Sequence, residues 1–526
     1  MSTTERSPLH EAWSLKSAGK LEQARKLILQ ALLDAPRDAE AWYFLAMLAQ
    51  EGRQAAVAIE LYDQAITLCP GAALLHLNRG VAAGELGRDL EAIRGFRRAV
   101  TLDCRLVQAH YNLGKALHHR GALTEAAGCY RQAIDLDPTF GEAWANLGAL
   151  YQELGEFDNA LIACRRALCE PPQHTPALFY RSEVLNNLAN AHRQIGEYNL
   201  AETYYLQALA TLSSAPEPNW NYATLNLLRG RLAESWPAYE WRWHVHGRSP
   251  PQSAHPRWDG SPLLHSSLLL HAEQGLGDML QFIRFARLAR ERVGRIVVEC
   301  PRPLASLLAR VPGVDVVVPL GDRAPDCDVS LPLASLPGIF RTGFETLPAG
   351  VPYVRADDAR QVIWAQRIGL GEPGIRVGLV WQGNRRHRLD AVRSFPLQAA
   401  AALAKVPGIR LFSLQHGDGR EQLDSSGLSI TDLGSKFTDF DDTAAAMQAL
   451  DLIVTCDSAP AHLAGALGLR VWLALNFSPD WRWLLDQDDS PWYPTMRLFR
   501  QASPGNWSNV FEQMAAELSG HDYAGS

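Results

Sequence analysis

Through roughly the first 245 residues, apolar and small side chains recur every three or four positions, the spacing of helices with one buried face. These helical blocks repeat with a period of about 34 residues. The clearest copy runs Trp144-x-x-Leu147-Gly148-x-x-Tyr151, then Ala160, Cys164 and Ala167, and closes at Pro172. One period earlier stand Leu113, Gly114, Ala126, Tyr130, Ala133 and Pro138; before them come Gly80, Ala92, Phe96 and Ala99. Trp42, Leu45, Ala58, Tyr62, Ala65 and Pro70 form another copy, and Ala24, Ile28, Ala31 and Pro36 a weaker first one. The register slips by about seven residues around Pro171 to Arg181, then resumes with Leu188, Gly196, Ala201, Tyr205 and Ala208. A last copy opens near Pro216 and leaves the pattern through Trp236, Tyr239, Trp241 and Trp243. Each period reads as a helix pair: small residues let the two helices approach, aromatics fill the gap to the next pair, and proline ends the second helix. One pair cannot bury its own apolar face, so the copies must stack.

This pattern resembles the tetratricopeptide (TPR) repeat, and predicts a superhelix of about seven repeats over residues 1–245. Asn78, Asn112, Asn146, Asn187 and Asn221 occupy one position in five successive copies. An amide offers two donors and an acceptor, so such a ladder can hold an extended peptide backbone without reading its sequence. It is similar to the asparagine ladder of nucleocytoplasmic O-GlcNAc transferase. The alternative is that each amide satisfies neighbouring groups of the repeat, and the sequence leaves both open.

The grammar changes after a linker at 246–264. Short apolar runs now alternate with helical stretches: Leu268–His271, Arg295–Glu299, Asp315–Pro319 and Asp328–Leu331, then Arg376–Trp381, Arg410–Leu414, Leu452–Cys456 and Val471–Asn476. Alternation of this kind predicts parallel sheets covered by helices on both faces. The break at Arg355–Gly374 divides two Rossmann-like lobes, 265–358 and 374–505, followed by a helix at 506–520. Ligands in such sheets sit at the carboxyl ends of the strands.

At 526 residues the chain exceeds one core, which agrees with this division. A net charge of −7 argues against a broad grip on nucleic acid or anionic membrane. No apolar run approaches the ~20 residues that span a bilayer, and Met1–Gly19 lacks the apolar core of a signal peptide. A cytoplasmic location is expected. The eight cysteines form no zinc-ligand spacing and read as buried reduced thiols.

Three loops carry candidate chemistry. Glu273-Gln274-Gly275-Leu276-Gly277-Asp278 follows the first strand; its glycines permit a tight turn, and Asp278 is either a helix cap or a carboxylate that accepts a proton from a hydroxyl. Trp381-Gln382-Gly383-Asn384-Arg385-Arg386-His387-Arg388, running on to Arg393, gathers arginines that fork onto phosphate oxygens. Asp457-Ser458-Ala459-Pro460-Ala461-His462 leads from a strand into a helix whose first N–H groups make an anion site. There the His462 ring reads as a buried, hydrogen-bonded group, and the phosphate contact falls to Ser458 and the backbone. Gln415 is a further nucleotide contact, Asp441–Ala444 opens a helix, and Pro479–Trp483 forms either a cleft wall or a lobe contact. Asp326-Cys327-Asp328 reads as structural rather than as a metal motif.

Three of these motifs, in this order, resemble the lipopolysaccharide heptosyltransferase family of GT-B glycosyltransferases, over about Leu268 to Arg500. Asp278 falls at the family's proposed catalytic base, and Arg393 where it carries a phosphate-binding lysine. Asp457, His462 and Leu463 match, while Ser458-Ala459-Pro460 departs from the family's Thr-Gly. The resemblance implies an α-solenoid fused to a two-lobed GT-B fold, with a final helix that crosses back to the first lobe. It implies an inverting, metal-independent bacterial glycosyltransferase using a nucleotide-sugar and no separate cofactor. Asp278 would be catalytic. Gly383, Asn384, Arg385, Arg388, Arg393, Gln415, Asp457, Ser458, Ala459 and His462 would bind the donor. Gly275, Gly277 and the five asparagines would face the acceptor. Some such TPR fusions glycosylate flagellin before export, which implies a protein acceptor held by the repeats. A glycolipid or polysaccharide acceptor, and a scaffold with degenerate lobes, are the alternatives.

Overall fold

In three of the helix pairs a glycine in the first helix packs directly against a side chain of the second. In the computed structural model, a Cβ added to Gly80 would sit 2.7 Å from the Phe96 ring, one on Gly114 2.8 Å from Tyr130, and one on Gly148 2.6 Å from Cys164. These aromatics therefore fill the space inside their own pair, which corrects the expectation that they fill the gap to the next. Other aromatics do cross that gap: Tyr111 meets Phe140 with ring centroids 4.7 Å apart.

The structure describes residues 7–245, 249–251, 253–273, 275–386 and 389–520. The chain forms two compact units, Met1–Ala191 and His192–Ser526. The first unit is all helix: Pro8–Ser17 with Leu21–Asp34, Ala39–Glu51 with Ala55–Leu68, Ala73–Glu85 with Asp89–Leu102, Val107–His119 with Leu123–Leu136, and Gly141–Glu153 with Phe157–Cys169, ending in Ala177–Gln194. A left-handed residue turns most pairs, glycine at 19, 87, 121 and 155 and Arg53 in the second. A second periodic device closes each junction. Trp42 Nε1 donates to Pro36 O and Trp144 Nε1 to Pro138 O, both at 3.0 Å, and His76 and His110 meet Pro70 O and Cys104 O in the same way. The tryptophan of the pattern thus satisfies a carbonyl left open by the preceding turn. Cys69, Cys104 and Cys169 are exposed, against the expectation that all the thiols are buried.

The second unit contains the helices Tyr198–Thr211, Pro216–Leu228 and Leu232–Tyr239 and the 3-10 turn Glu240–Trp243. The sequence places these at the end of the superhelix, and in the structure the last of them also packs against the first lobe and the turn Trp481–Trp483. Trp236 is buried, its indole N–H donates to Thr342 O at 2.7 Å, and Trp236 and Tyr239 both meet the Trp481 ring edge-on.

The first sheet has four parallel strands: β1 (Leu263–His271), β2 (Val293–Cys300), β3 (Val316–Pro319) and β4 (Val329–Pro332), in the order β3-β2-β1-β4. Asp328 secures its edge by accepting from Ser267 N and Oγ at 2.7 and 2.8 Å. The second sheet comprises β5 (Ile375–Val380), β6 (Ile409–Ser413), β7 (Ile430–Asp432), β8 (Leu452–Cys456), β9 (Val471–Leu475), β10 (Asp489–Ser490) and β11 (Tyr493–Arg500). Its order is β10-β11-β9-β8-β5-β6-β7, parallel except for the β10/β11 pair. The break at 355–374 is itself structured: helix Asp358–Ile368 packs through Trp364 on Phe437 of the second lobe. The C-terminal helix Trp507–Gly520 also stays on the second lobe, where Trp507, Val510, Phe511 and Met514 join the core with Phe395 and Leu397. It does not cross back. The helix expected to open at Asp441 is capped by Asp439, which accepts from the N–H groups of Asp441 and Asp442. Among the described residues, no helix is long and apolar enough to cross a membrane.

Candidate functional site

Among its parallel strands, each sheet has one place where the chain reverses its direction of travel. In the first sheet β1 lies between β2 and β4; in the second, β5 lies between β6 and β8. Crevices open at the carboxyl ends of such strands. The loop with Gly275–Asp278 follows β1, Trp381–Arg393 follows β5, and Asp457–His462 follows β8.

The loops after β1 and β8 meet. A Cβ on Gly277 would lie 2.7 Å from His462 Cδ2, so glycine is required for this approach. His462 is buried, stacks on Trp483 at 5.3 Å and pairs its Nδ1 with the Tyr493 hydroxyl at 2.9 Å. Burial, with the nearby Arg482 charge, holds its pKa well below the usual value, so the ring is neutral.

Asp278 is the third residue of helix Leu276–Phe282, and its Oδ2 accepts from Gly275 N at 2.9 Å. Its other oxygen is ion-paired with Arg482, which arrives from the 3-10 turn Trp481–Trp483 after β9. The nearly buried Arg482 guanidinium also donates to Gln281 Oε1 at 2.5 Å and Asp480 Oδ1 at 2.7 Å, and lies over the Trp481 ring. Asp278 is therefore both a helix-terminus acceptor and one half of a contact between lobes.

Asp457 senses two arginines and one carboxylate. Burial pushes it up to about 6 and Asp480 adds to the rise, while Arg393 and Arg482 oppose it. Burial alone would also raise Asp480, but its direct bonds to Arg482 outweigh that and hold it below the ordinary value. Arg393 lies against Gly383, where a Cβ would meet its Nη2 at 2.6 Å; its Nε is buried without a hydrogen-bond partner and 3.5 Å from Asp390 Oδ1. Gly383 N donates to Ser394 Oγ at 3.1 Å, and Asn384 Oδ1 accepts from Arg386 N at 2.9 Å, which shapes the turn.

Several candidates have other duties. Gln415 accepts from Trp381 N and Gln382 N and donates to Gln382 O and Asp418 O, all at 2.7–3.0 Å. Its amide holds two loops together. Arg385 turns towards the loop after β6, donating from its backbone to Asp418 and pairing with Glu421. Arg388, with His387 and Gln274, lies outside the described residues. The helix Ala459–Ala466 is a poorer anion site than expected: Pro460 has no N–H, and Ala461 N already donates to Ser458 O at 2.9 Å. Ser458 Oγ is directed back to Cys456 O at 3.3 Å. In the first unit Asn78 and Asn146 donate to Tyr43 and Tyr111 hydroxyls, each at 3.1 Å, and Asn187 accepts through its backbone from Gln152. Asn112 is half-buried, and in the second unit the Asn221 carbonyl accepts from Thr224 Oγ1 at 2.9 Å.

Sequence reasoning set Asp480, Arg482 and Tyr493 in a stretch read as either a cleft wall or a lobe contact, without giving the individual residues a role in this cluster. The available signal was an arginine between two tryptophans just after a strand.

The helical part is a tetratricopeptide-repeat array: profiles of that repeat match residues 9–73, 115–155, 141–173 and 184–218. The chain is 27% identical over 378 residues to Protein FlbA of Caulobacter vibrioides, across 66% of this chain. It spans 62% of the length of that relative. Solved structures similar to it include MamA, 23% identical over 30% of this chain and 92% of that one with a TM-score of 0.29. Another is pilF of Pseudomonas aeruginosa, 19% identical over 41% and 95% with a TM-score of 0.37.

Proposed function

We propose that the chain is a GT-B-type glycosyltransferase that moves a sugar from a nucleotide-sugar to a protein held by the repeats, flagellin being one acceptor of the right class. The observation that carries this reading is the convergence of loops from both chain-reversal points, which sets Asp278 and Asp457 against Arg482 and Arg393. Arg393, whose buried Nε makes no hydrogen bond, and Arg482 supply positive charge for a leaving diphosphate. Asp278 would take the acceptor proton once substrate separates it from Arg482. Inversion at the sugar and independence from metal belong to the same reading.

One observation favours the non-catalytic scaffold: both Asp278 oxygens are already engaged, one by a helix N-terminus and one by an ion pair. A single series separates the two. Melting of the full chain is followed with UDP, GDP, ADP, CDP and CMP. A ligand at 100 times its dissociation constant adds roughly 2.7 kcal/mol. The transferase reading expects one nucleotide to stabilise the second unit, Arg393→Ala to abolish the shift, and Asp278→Asn to keep it. A flat response to every nucleotide, from a protein that melts cooperatively, favours the scaffold.

A further inference from the structure

Arg242 lies between Trp241 and Trp243 in the turn that ends the helical repeats, and its side chain is fully buried. A buried guanidinium is tolerated only with its N–H groups paired. Here Nε and Nη2 fork onto Glu273 Oε2 and Oε1 at 2.7 and 3.0 Å. Nη1 donates to Glu240 at 2.6 Å, and Nη2 also reaches Ser335 Oγ at 2.7 Å. The ring of Trp243 lies 4.7 Å away and that of Tyr239 5.0 Å.

The Glu273 side chain is nearly as deeply buried as its partner and also accepts from Ala334 N at 2.8 Å. It stands two residues beyond the end of β1 and five before Asp278. Gly275 leads into the helix Leu276–Phe282, whose first turn holds Gly277 and Asp278, and the placement of this segment depends on its anchors. Its far anchors are the Asp278–Arg482 pair and the contact of Gly277 with His462. Its near anchor is Glu273, which the repeat segment holds through Arg242.

We infer that Arg242 is a positioning residue for the Gly275–Asp278 loop, so that the last repeat is a working part of the α/β site. The chemistry of that loop rests on the transferase reading; its placement by Arg242 does not. Arg242 acts through Glu273 and is not itself catalytic.

Hydrogen–deuterium exchange of the full chain tests this. Arg242→Lys keeps the charge but loses the fork, and Arg242→Gln combined with Glu273→Gln removes both charges together. In each, exchange at Gly275–Gln281 should rise about tenfold or more while β8 and β9 stay within about twofold of wild type, the mark of a local opening. The nucleotide-induced melting shift should survive in both. Loop exchange unchanged in both variants overturns the inference. So does an equal rise throughout the second unit, or failure of both variants to fold, either of which makes Arg242 merely structural. If wild type responds to no nucleotide while loop exchange rises as expected, the transferase reading fails and the positioning role stands.

Discussion

Arg482 bonds directly to Asp278 and Asp480, and its charge also reaches Asp457, so one buried guanidinium serves three carboxylates. Asp457 has no direct bond to it and is left with a pKa raised from 3.8 to about 6. A group raised in the folded state binds its proton more tightly there, so it favours folding below its unfolded value and loses that contribution as pH rises to about 6. Asp480, held low, acts in the opposite sense and only below the ordinary carboxylate value. Wild-type melting should therefore fall between pH 4 and pH 7 relative to Asp457→Asn, as calorimetry across that range would read; parallel profiles would refute the assignment. At this scale the glycine loop, the arginine loop and Asp457 were legible, because each follows a recognisable strand. The pairing of Arg482 was not, because its partner Asp278 lies 204 residues away in the chain.

Among elements, the helix pairs followed directly from spacing, while the detail of their packing did not. Gly114 shows why. Alanine favours a helix over glycine by about 1 kcal/mol, yet a Cβ there would press on the buried Tyr130 ring at 2.8 Å. Overpacking costs about 1–3 kcal/mol, so Gly114→Ala should lower the stability of the first unit on denaturant titration despite the better propensity. A stabilised variant would mean that Tyr130 moves aside freely. The asparagine position was also legible as a period, but its use was not: Asn78 and Asn146 donate to tyrosine hydroxyls contributed by the preceding repeat. The three strands that escaped notice, β7, β10 and β11, carry turn residues or polar residues that mask an apolar run.

For the whole molecule, the composition change near residue 246 is a weaker divide than the packing change at 191/192. Trp236, Tyr239 and Arg242 bury against the first lobe and the Trp481 turn, and they leave large apolar faces open if removed. A fragment 192–526 should melt as one cooperative transition, whereas 246–526 should bind hydrophobic dyes and aggregate, as fluorescence and light scattering would report. Equal behaviour of the two fragments would show that the terminal helices are dispensable to the lobes.

By itself the sequence determined the repeat period, the alternation of strands and helices, and the strands whose ends bear polar loops. All of these rest on local periodicity, which side-chain burial imposes residue by residue. Only the tertiary structure decided that Trp236, Tyr239 and Arg242 bury against the first lobe and the Trp481 turn, that Gln415 ties two loops together, and that Asp278 faces Arg482. Those outcomes depend on charges and rings paired across long stretches of chain, for which no short-range spacing exists to be read.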